Sequence, residues 1–205
     1  MAKRQAKLER KTSEVKAKID INLDGSGKFD IDTGIAFFNH MLAQFAKHGY
    51  FDLKIKAIGD IDIDFHHTVE DVGLALGQAM LDALGDKRGI TRFGEAFVPF
   101  DETLAFACVD LSGRPHFEFR VDIAKSKVGE FDVELAEEFF KSLSNTLKCN
   151  LHIELKYGDN LHHMIEAMFK AVGRALDKAT GLDPRSKDIP STKGCLLYTS
   201  DAADD

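Results

Sequence analysis

The chain has 205 residues, of which 44% are apolar and 30% are charged, so it can bury a core as one domain or as two small ones. Its net charge of −7 argues against nucleic-acid binding, because neutralising phosphates requires an excess of Lys and Arg. The sequence has no apolar run of membrane-spanning length, no secretory signal pattern and no cysteine spacing typical of a disulfide framework. We therefore expect a cytoplasmic protein with neither a nucleic-acid nor a membrane partner.

The first half of the chain predicts strands followed by helices. Residues 15–23 alternate apolar and polar side chains and run into a Gly-rich turn at 24–27, which is the pattern of a strand that ends in a turn. A helical stretch follows, and residues 53–57 form a second alternating strand. An amphipathic helix that begins at His66 and His67 closes this half.

The second half repeats this pattern. Residues 64–85 (DFHHTVEDVGLALGQAMLDALG) and 160–181 (NLHHMIEAMFKAVGRALDKATG) are identical at eight positions with a constant separation of 96. Strand patterns at 104–111 and 151–155 precede the second copy. We predict an α+β fold with an internal duplication, in which each half has several mainly antiparallel strands and two helices on one face.

The predicted domain covers residues 1–194 as a single unit of two repeats, about 12–89 and 100–181. Residues 195–205 (CLLYTSDAADD) resemble the in-frame translation of a sequencing adapter. We expect this tail to carry no function. An ordinary acidic tail is the alternative, and it would carry no chemistry either.

Each repeated helix begins with the motif His-His-x-x-Glu. On a helix a histidine and a glutamate four positions later lie one turn apart, whereas adjacent histidines diverge by about 100°. Adjacent imidazoles therefore do not easily bind one ion together, but each can reach a different ion. The two motifs supply four imidazoles and two carboxylates, which predicts a two-metal arrangement, from His66, His67, Glu70, His162, His163 and Glu166.

A donor set of imidazole and carboxylate without cysteine disfavours structural zinc and favours an octahedral ion such as Mn²⁺ or Fe²⁺, with Zn²⁺, Co²⁺ and Ni²⁺ left open. A single histidine beside an apolar face is usually structural, but the duplication of the whole motif favours metal binding. His40, 26 residues before His66, is a candidate for a further ligand. The position 24 residues before His162 is Glu138, and His152 is the competing candidate.

Together these features resemble the imidazoleglycerol-phosphate dehydratase family from about Lys7 to Gly194. The stretches that carry the resemblance are RKTSE (10–14), LDGSG (23–27), FFNHML (37–42), HG (48–49), DFHHTVED (64–71), RFG (92–94), DLSGRP (110–115), NLHHMIEA (160–167) and PSTKG (190–194). The resemblance implies a fold of the ribosomal-protein-S5-domain-2-like type.

The resemblance also implies a hydro-lyase that dehydrates D-erythro-imidazole glycerol phosphate to imidazole acetol phosphate in L-histidine biosynthesis. It implies two Mn²⁺ ions per active site that bind the substrate imidazole, and a homo-oligomer of 24 subunits with active sites at subunit interfaces. The ligands implied by matching position are His40, His66, His67, Glu70, His162, His163 and Glu166. Family members often carry histidine at the position of Glu138, so this departure concerns that ligand.

Substrate contacts are implied by the same resemblance at Glu14, Gln44, His48, Arg92, Arg114, Ser191 and Lys193. The last four match the family's phosphate-binding positions, and arginine offers phosphate a bidentate fork. Glu14, Glu70 and Glu166 are the candidates for proton transfer, and the sequence does not choose among them.

Two other functions compete with this prediction. One is a different dinuclear His/Glu metalloenzyme such as a phosphohydrolase, against which stands the lack of Asp-rich metal motifs. The other is a non-catalytic module, either an RNA-associated α+β protein or a metal-storage shell. The acidic charge opposes RNA binding, and metal storage would not require Glu14 or Lys193.

Overall fold

Ten strands and four helices form residues 3–196, the part of the chain that this computed structural model describes. The strands are β1 (Gln5–Lys11), β2 (Val15–Asn22), β3 (Phe29–Asp32), β4 (Asp52–Gly59), β5 (Phe93–Phe100), β6 (Thr103–Asp110), β7 (His116–Arg120), β8 (Lys127–Val128), β9 (Phe131–Asp132) and β10 (Asn150–Tyr157). The helices are α1 (Ala36–His48), α2 (His66–Leu84), α3 (Leu135–Leu147) and α4 (Leu161–Thr180). Of the predicted tail, residues 197–205 lie outside the described part.

The first sheet has the strand order β1-β2-β4-β3. Its first two pairings are antiparallel, and β3 joins the edge of β4 in parallel. Strand β2 buries Val15, Ala17, Ile19 and Ile21 and turns its polar side chains the other way. This alternation covers one face of the sheet with apolar contacts and leaves the other face polar.

The second sheet repeats the first, with the strand order β5-β6-β10-β7 and the same pattern of antiparallel and parallel pairings. The predicted α+β class and the duplication are therefore confirmed. The repeats predicted from the sequence begin at about residues 12 and 100. Strand β1 therefore lies before the first predicted repeat, and all of β5 except Phe100 lies before the second. The second half also contains a short hairpin, β8-β9, before α3.

The four helices occupy the layer between the two sheets. Helix α2 packs on β1, β2 and α3, while α4 packs on β5, β6 and α1. Rings from both halves meet there, with centroids 5.3 Å apart for Phe38 and Phe139 and 5.1 Å apart for Phe139 and Phe169. One apolar core therefore joins the halves. No helix in residues 3–196 is both long and apolar enough to cross a membrane.

Helix pairs from opposite halves approach closely at equivalent glycines. A Cβ on Gly77 in α2 would lie 2.4 Å from the carbonyl oxygen of Leu143 in α3, and a Cβ on Gly173 in α4 would lie 2.6 Å from that of Phe45 in α1. Phe45 and Leu143 are 98 positions apart, so helices α1 and α3 are equivalent with that separation. The glycines thus set the register in which α3 lies against α2 and α1 against α4.

We predict that Gly77→Ala destabilises the fold by about 1–3 kcal/mol, because the added methyl group forces α2 and α3 apart. The better helix propensity of alanine, about 1 kcal/mol, offsets this only in part. Urea unfolding of both proteins measures the difference. Gln78→Ala, at the next and partly exposed position, is the control and should change stability by less than about 0.5 kcal/mol. An alanine variant at Gly77 as stable as the original protein would show that the close approach does not matter.

Candidate metal centre and anion pocket

Both histidine doublets lie in the first turn of a helix, and in each case a side chain that precedes the doublet binds a free N–H group of that turn. In α4 the side chain of Asn160 accepts hydrogen bonds from the N–H groups of His162 at 2.9 Å and His163 at 3.3 Å. In α2 the equivalent residue, Asp64, accepts one from the N–H of His66 at 2.8 Å. These caps satisfy helix-end donors and fix the backbone of each doublet. The two rings of a doublet lie 6.2 Å apart and nearly perpendicular, at 84° in α2 and 80° in α4.

Three candidate metal ligands meet at the start of α4. Nε2 of His40 lies 2.9 Å and Nε2 of His162 lies 3.0 Å from the same carboxylate oxygen of Glu166. Within residues 3–196, this is the only group in which three His, Cys, Asp or Glu donor atoms all lie within 4.8 Å of one another. Two imidazole nitrogens and a carboxylate that converge in this way suit a divalent transition metal, which would replace the protons that these groups share.

The carboxylate of Glu166 is buried and fully engaged. Its second oxygen accepts an ion-pair contact from Lys170 Nζ at 2.7 Å, and that ammonium also lies 3.9 Å from the centroid of the Phe100 ring. Burial raises the pKa of Glu166, but the hydrogen bonds from Lys170 and the two histidines outweigh it and leave the pKa below its usual value. Glu166 is therefore an ionised carboxylate at neutral pH, as a metal ligand needs to be.

The duplication arranges a second candidate group around Glu138. With the separation of 98 positions, Glu138 in α3 occupies the place of His40, beside the helix that carries His66 and Glu70. Glu138 is partly buried and lies 3.4 Å from Lys141 Nζ. In the described part of the chain the donor atoms of this second group do not converge as those of the first do. The helices of the two groups are therefore placed equivalently, but the donor atoms of the second group do not meet at one point.

His152, the alternative to Glu138, lies on the other side of the second sheet. Its neighbours on β10, Leu151 and Ile153, point into the core, so His152 points away from the helices. Its ring lies 5.6 Å from that of His116 on β7. Within one chain, His152 is therefore not near either doublet.

The second histidine of each doublet is held by a carboxylate. Nδ1 of His67 lies 2.9 Å from Asp60 and 3.9 Å from Glu14, and Nδ1 of His163 lies 2.8 Å from Glu102. Since an ionised carboxylate can only accept a hydrogen bond, Nδ1 carries the proton and Nε2 keeps its lone pair. This is the arrangement by which proteins orient a metal-binding histidine.

These contacts shift the pKa of one partner in each pair. The hydrogen bond with Asp60 raises the pKa of His67. The hydrogen bond from His163, followed by backbone donors, lowers the pKa of Glu102 to about 2. Each histidine in the second position of a doublet is thus paired with an ionised carboxylate.

Sequence reasoning missed Asp60, Glu102 and Lys170. Asp60 follows β4 directly and reads in the sequence as an ordinary turn residue. Glu102 lies in the β5-β6 hairpin, which corresponds to the hairpin of Glu14, so the duplication was the one signal that could have found it. Lys170 lies one turn after Glu166 on the same helix and gave no signal of its own.

The predicted substrate-contacting residues of the first half lie in different places. Glu14 is exposed in the β1-β2 hairpin near His67. Gln44 lies with His40 in an open cavity of about 780 Å³ beside β3. His48, at the end of α1, has its pKa lowered by burial and by the positive charges of Lys170 and other residues of α4.

The four predicted phosphate-binding residues meet in one pocket. A cavity of about 510 Å³ at one end of the second sheet is lined by Arg92, Ser112, Arg114, Pro190, Ser191, Thr192, Lys193, Cys195 and Leu196. Cations and hydroxyl groups dominate its lining, which is the chemistry that binds a phosphate group. The chain segments that supply them are more than seventy residues apart in sequence at their extremes.

Arg92 is held rigidly in this pocket. Its guanidinium group donates to both carboxylate oxygens of Asp110, at 2.7 and 3.1 Å, and to the carbonyl oxygen of Pro190 at 2.8 Å. The backbone N–H of Arg92 donates to the carbonyl oxygen of Ala179, near the end of α4. These bonds orient the guanidinium group before any anion binds, and they anchor the pocket to the C-terminal end of α4.

The candidate metal group and the anion pocket of one chain lie at opposite ends of α4. Glu166 is in the second turn of this helix, and Ala179 is next to its last residue. At about 1.5 Å per residue these two positions are separated by roughly 20 Å along the helix axis. A small phosphorylated imidazole cannot span that distance. The metal group and the anion pocket of one chain therefore cannot both contact the same small molecule.

Comparisons with known proteins give one consistent family. A family model described as imidazoleglycerol-phosphate dehydratase matches residues 33–176. The protein of that name from Pelobacter propionicus is 58% identical over 193 residues, which covers 94% of this chain and 99% of that protein. The one from Bacillus subtilis is 57% identical over 193 residues, which covers 94% of this chain and 100% of that protein.

Two solved structures are also similar. Imidazoleglycerol-phosphate dehydratase from Staphylococcus aureus matches with a TM-score of 0.79 and 41% identity, covering 87% of this chain and 99% of that chain. The structure from Pyrococcus furiosus matches with a TM-score of 0.80 and 34% identity, covering 92% of this chain and 99% of that chain.

We predict that, in metal-free protein, NMR titration of the His67 ring gives a pKa above the ordinary 6.5, and that Asp60→Asn lowers it. Because the folded-state pKa is the higher one, this pair stabilises the fold fully below pH 6.5 and loses its effect as pH rises through the raised value. Asp62→Asn, which removes an exposed carboxylate from the adjoining turn, is the control. An unchanged His67 midpoint in Asp60→Asn would contradict the assignment.

Proposed function

This chain belongs to the imidazoleglycerol-phosphate dehydratase family, hydro-lyases of histidine biosynthesis, and from that premise we propose how its own residues carry out the reaction. The substrate is D-erythro-imidazole glycerol phosphate, the product is imidazole acetol phosphate, and two Mn²⁺ ions serve each active site. The observation that carries the metal part of this proposal is the convergence of His40 and His162 on one oxygen of Glu166.

The residues present fit such ions. One would be held by His40, His162 and Glu166, and the duplication supplies Glu138, His66 and Glu70 for the other. His67 and His163 keep Nε2 available and add one imidazole each. Imidazole and carboxylate donors suit Mn²⁺, and the same set accepts Fe²⁺, Co²⁺, Ni²⁺ or Zn²⁺.

The metal supplies one chemical function and the chain supplies the rest. A bound ion accepts an imidazole ring as it accepts histidine, and its charge makes the proton beside that ring easier to remove. Glu166 is saturated by Lys170 and two histidines, so it acts as a ligand. Glu14 is exposed on a hairpin within 3.9 Å of His67, and we assign the proton transfer to it rather than to Glu70 or Glu166.

The far end of the substrate is held by the anion pocket. Arg92, Arg114, Ser191 and Lys193 provide fixed positive charge and hydroxyl donors for the phosphate group. Because this pocket lies roughly 20 Å from the metal group of the same chain, the pocket and the metal group of one active site come from different chains. This supports a homo-oligomer with interfacial active sites, which we propose to contain 24 subunits.

We also propose that the enzyme works in the cytoplasm. Cys108, Cys149 and Cys195 are all free thiols, as is usual for proteins of a reducing compartment.

A dinuclear phosphohydrolase remains the competing activity, and one assay separates the two. Protein loaded with Mn²⁺ is incubated with imidazole glycerol phosphate, and both the enolised product and inorganic phosphate are followed. We expect the enolised product without phosphate release. Phosphate release without the product would replace the dehydratase by a hydrolase, and no turnover at saturating metal would reject the proposal.

We predict that His163→Ala and His40→Ala each lose bound metal and at least about 100-fold in activity, because each removes a donor. Elemental analysis and the same assay measure both effects. His152→Ala is the matched control, since His152 is exposed on the opposite face of the second sheet. It should keep its metal and its activity. Full metal content and activity in His163→Ala would contradict the ligand assignment.

We predict that two impaired variants recover activity when their chains are co-expressed. Glu166→Gln damages only the metal group, and Arg114→Ala damages only the anion pocket, chiefly by raising KM. If active sites are shared, co-expressed chains form some sites from one intact metal group and one intact pocket. Activity above that of either variant alone is the expected result. If the co-expressed chains stay as impaired as either variant alone, each active site is built from one chain.

A further inference from the structure

A lysine is buried beneath the anion pocket and takes no part in the reaction described above. Lys87 lies just after the end of α2, and none of its surface is exposed to solvent. Its Nζ donates a hydrogen bond to the carbonyl oxygen of Leu111 at 3.1 Å. Its backbone has a φ of 60°, a conformation that lysine rarely adopts. At Lys87 the protein therefore combines a strained backbone conformation with a side chain that is removed from solvent.

The ammonium group is not neutralised by a direct ion pair. Within residues 3–196, no carboxylate oxygen lies within 4.0 Å of Lys87 Nζ. Among carboxylates, Asp110 interacts with this charge at longer range, but both its oxygens bind the guanidinium group of Arg92. Burial lowers the pKa of Lys87, which reflects the cost of desolvating the charge. The ammonium group is thus buried with one backbone acceptor and without a carboxylate in direct contact.

The contacts of Leu111 connect this charge to the pocket. The N–H of Leu111 donates to the carbonyl oxygen of Arg92 at 3.1 Å, so Lys87 and Arg92 hold the residue from opposite sides. The next residue, Ser112, lines the pocket, and its hydroxyl oxygen accepts a hydrogen bond from the N–H of Arg114 at 3.2 Å. Lys87 is thus connected through Leu111 to three pocket-lining residues.

We propose that Lys87 is a positioning residue for the anion pocket. Its ammonium group fixes the Leu111 carbonyl, which sets the turn that carries Ser112 and Arg114, and its unpaired charge makes the pocket more attractive to a phosphate group. The identification of that anion as the phosphate of the substrate rests on the proposed function. The contribution of Lys87 to anion binding does not, because inorganic phosphate can serve as the probe without metal or turnover.

The test compares three variants for binding of inorganic phosphate by metal-free protein, measured by NMR titration. Lys87→Gln keeps an N–H donor for Leu111 but removes the charge, Lys87→Met removes both, and Lys87→Arg keeps both. We expect Gln and Met to weaken phosphate binding by about tenfold, the effect of one unit charge across a few ångströms of partly buried protein. Arg should stay within about threefold of the original protein, because it retains the charge and the donor.

Lys148→Gln is the matched control. Lys148 is exposed at the end of α3, and its loss changes the net charge of the protein by the same amount. Solvent screens an exposed charge, so this variant should change phosphate binding by less than about twofold. In the loaded enzyme, Lys87→Gln should raise KM for the substrate and leave metal content and kcat near their original values.

Two results would overturn the inference. Folded Lys87→Gln that binds phosphate as well as the original protein would mean that the charge has no role. If Lys87→Arg weakens phosphate binding as much as Lys87→Gln does, the charge likewise has no role. The comparison of Lys87→Arg with Lys87→Gln still decides the question if Lys87→Met does not fold. Failure of the proposed function looks different: the original protein would bind phosphate and respond to the Lys87 variants but would not dehydrate the substrate.

Discussion

The whole site depends on the first turn of a helix, which holds two adjacent imidazoles in divergent directions. A helix places neighbouring side chains about 100° apart, so the rings of one doublet cannot share an ion. Asp64 and Asn160 bind the free N–H groups of the first turn and keep the doublets from fraying. Carboxylates then orient the second ring of each doublet. Hydrogen bonds to the backbone and to the rings therefore set the geometry of the candidate metal ligands in the protein alone.

Duplication gave the protein two copies of this arrangement, and their differences are as informative as their likeness. In the second half the hairpin carboxylate, Glu102, binds His163 directly. In the first half Asp60 from the end of β4 takes that role for His67, and the hairpin carboxylate Glu14 stays 3.9 Å away and exposed. The first copy thus has a glutamate beside the metal ligands that is not needed to orient them. That is why we assign proton transfer to Glu14.

Helix α4 separates the candidate metal group of a chain from the anion pocket of the same chain. Its first turns carry candidate metal ligands, and its last turn supports the backbone of Arg92 in the anion pocket. A helix of 20 residues keeps these two ends apart, which is why we propose that each active site combines the two ends from different molecules. Lys87 follows α2 and supports the pocket that belongs to the second sheet. The first repeat thereby contacts the backbone beside the pocket even though it lines none of the pocket.

The sequence by itself determined the local features of this protein. The 96-residue repeat, the strand and helix patterns and the doublets are all read from spacing, because period and capping depend on neighbours along the chain. Only the tertiary structure decided which half completes which metal group. Spacing associates His40 with His66, 26 residues away, whereas the packing of α1 against α4 brings it to Glu166. Contacts between helices from opposite halves have no local period, so neither that pairing nor the burial of Lys87 could be read from the sequence.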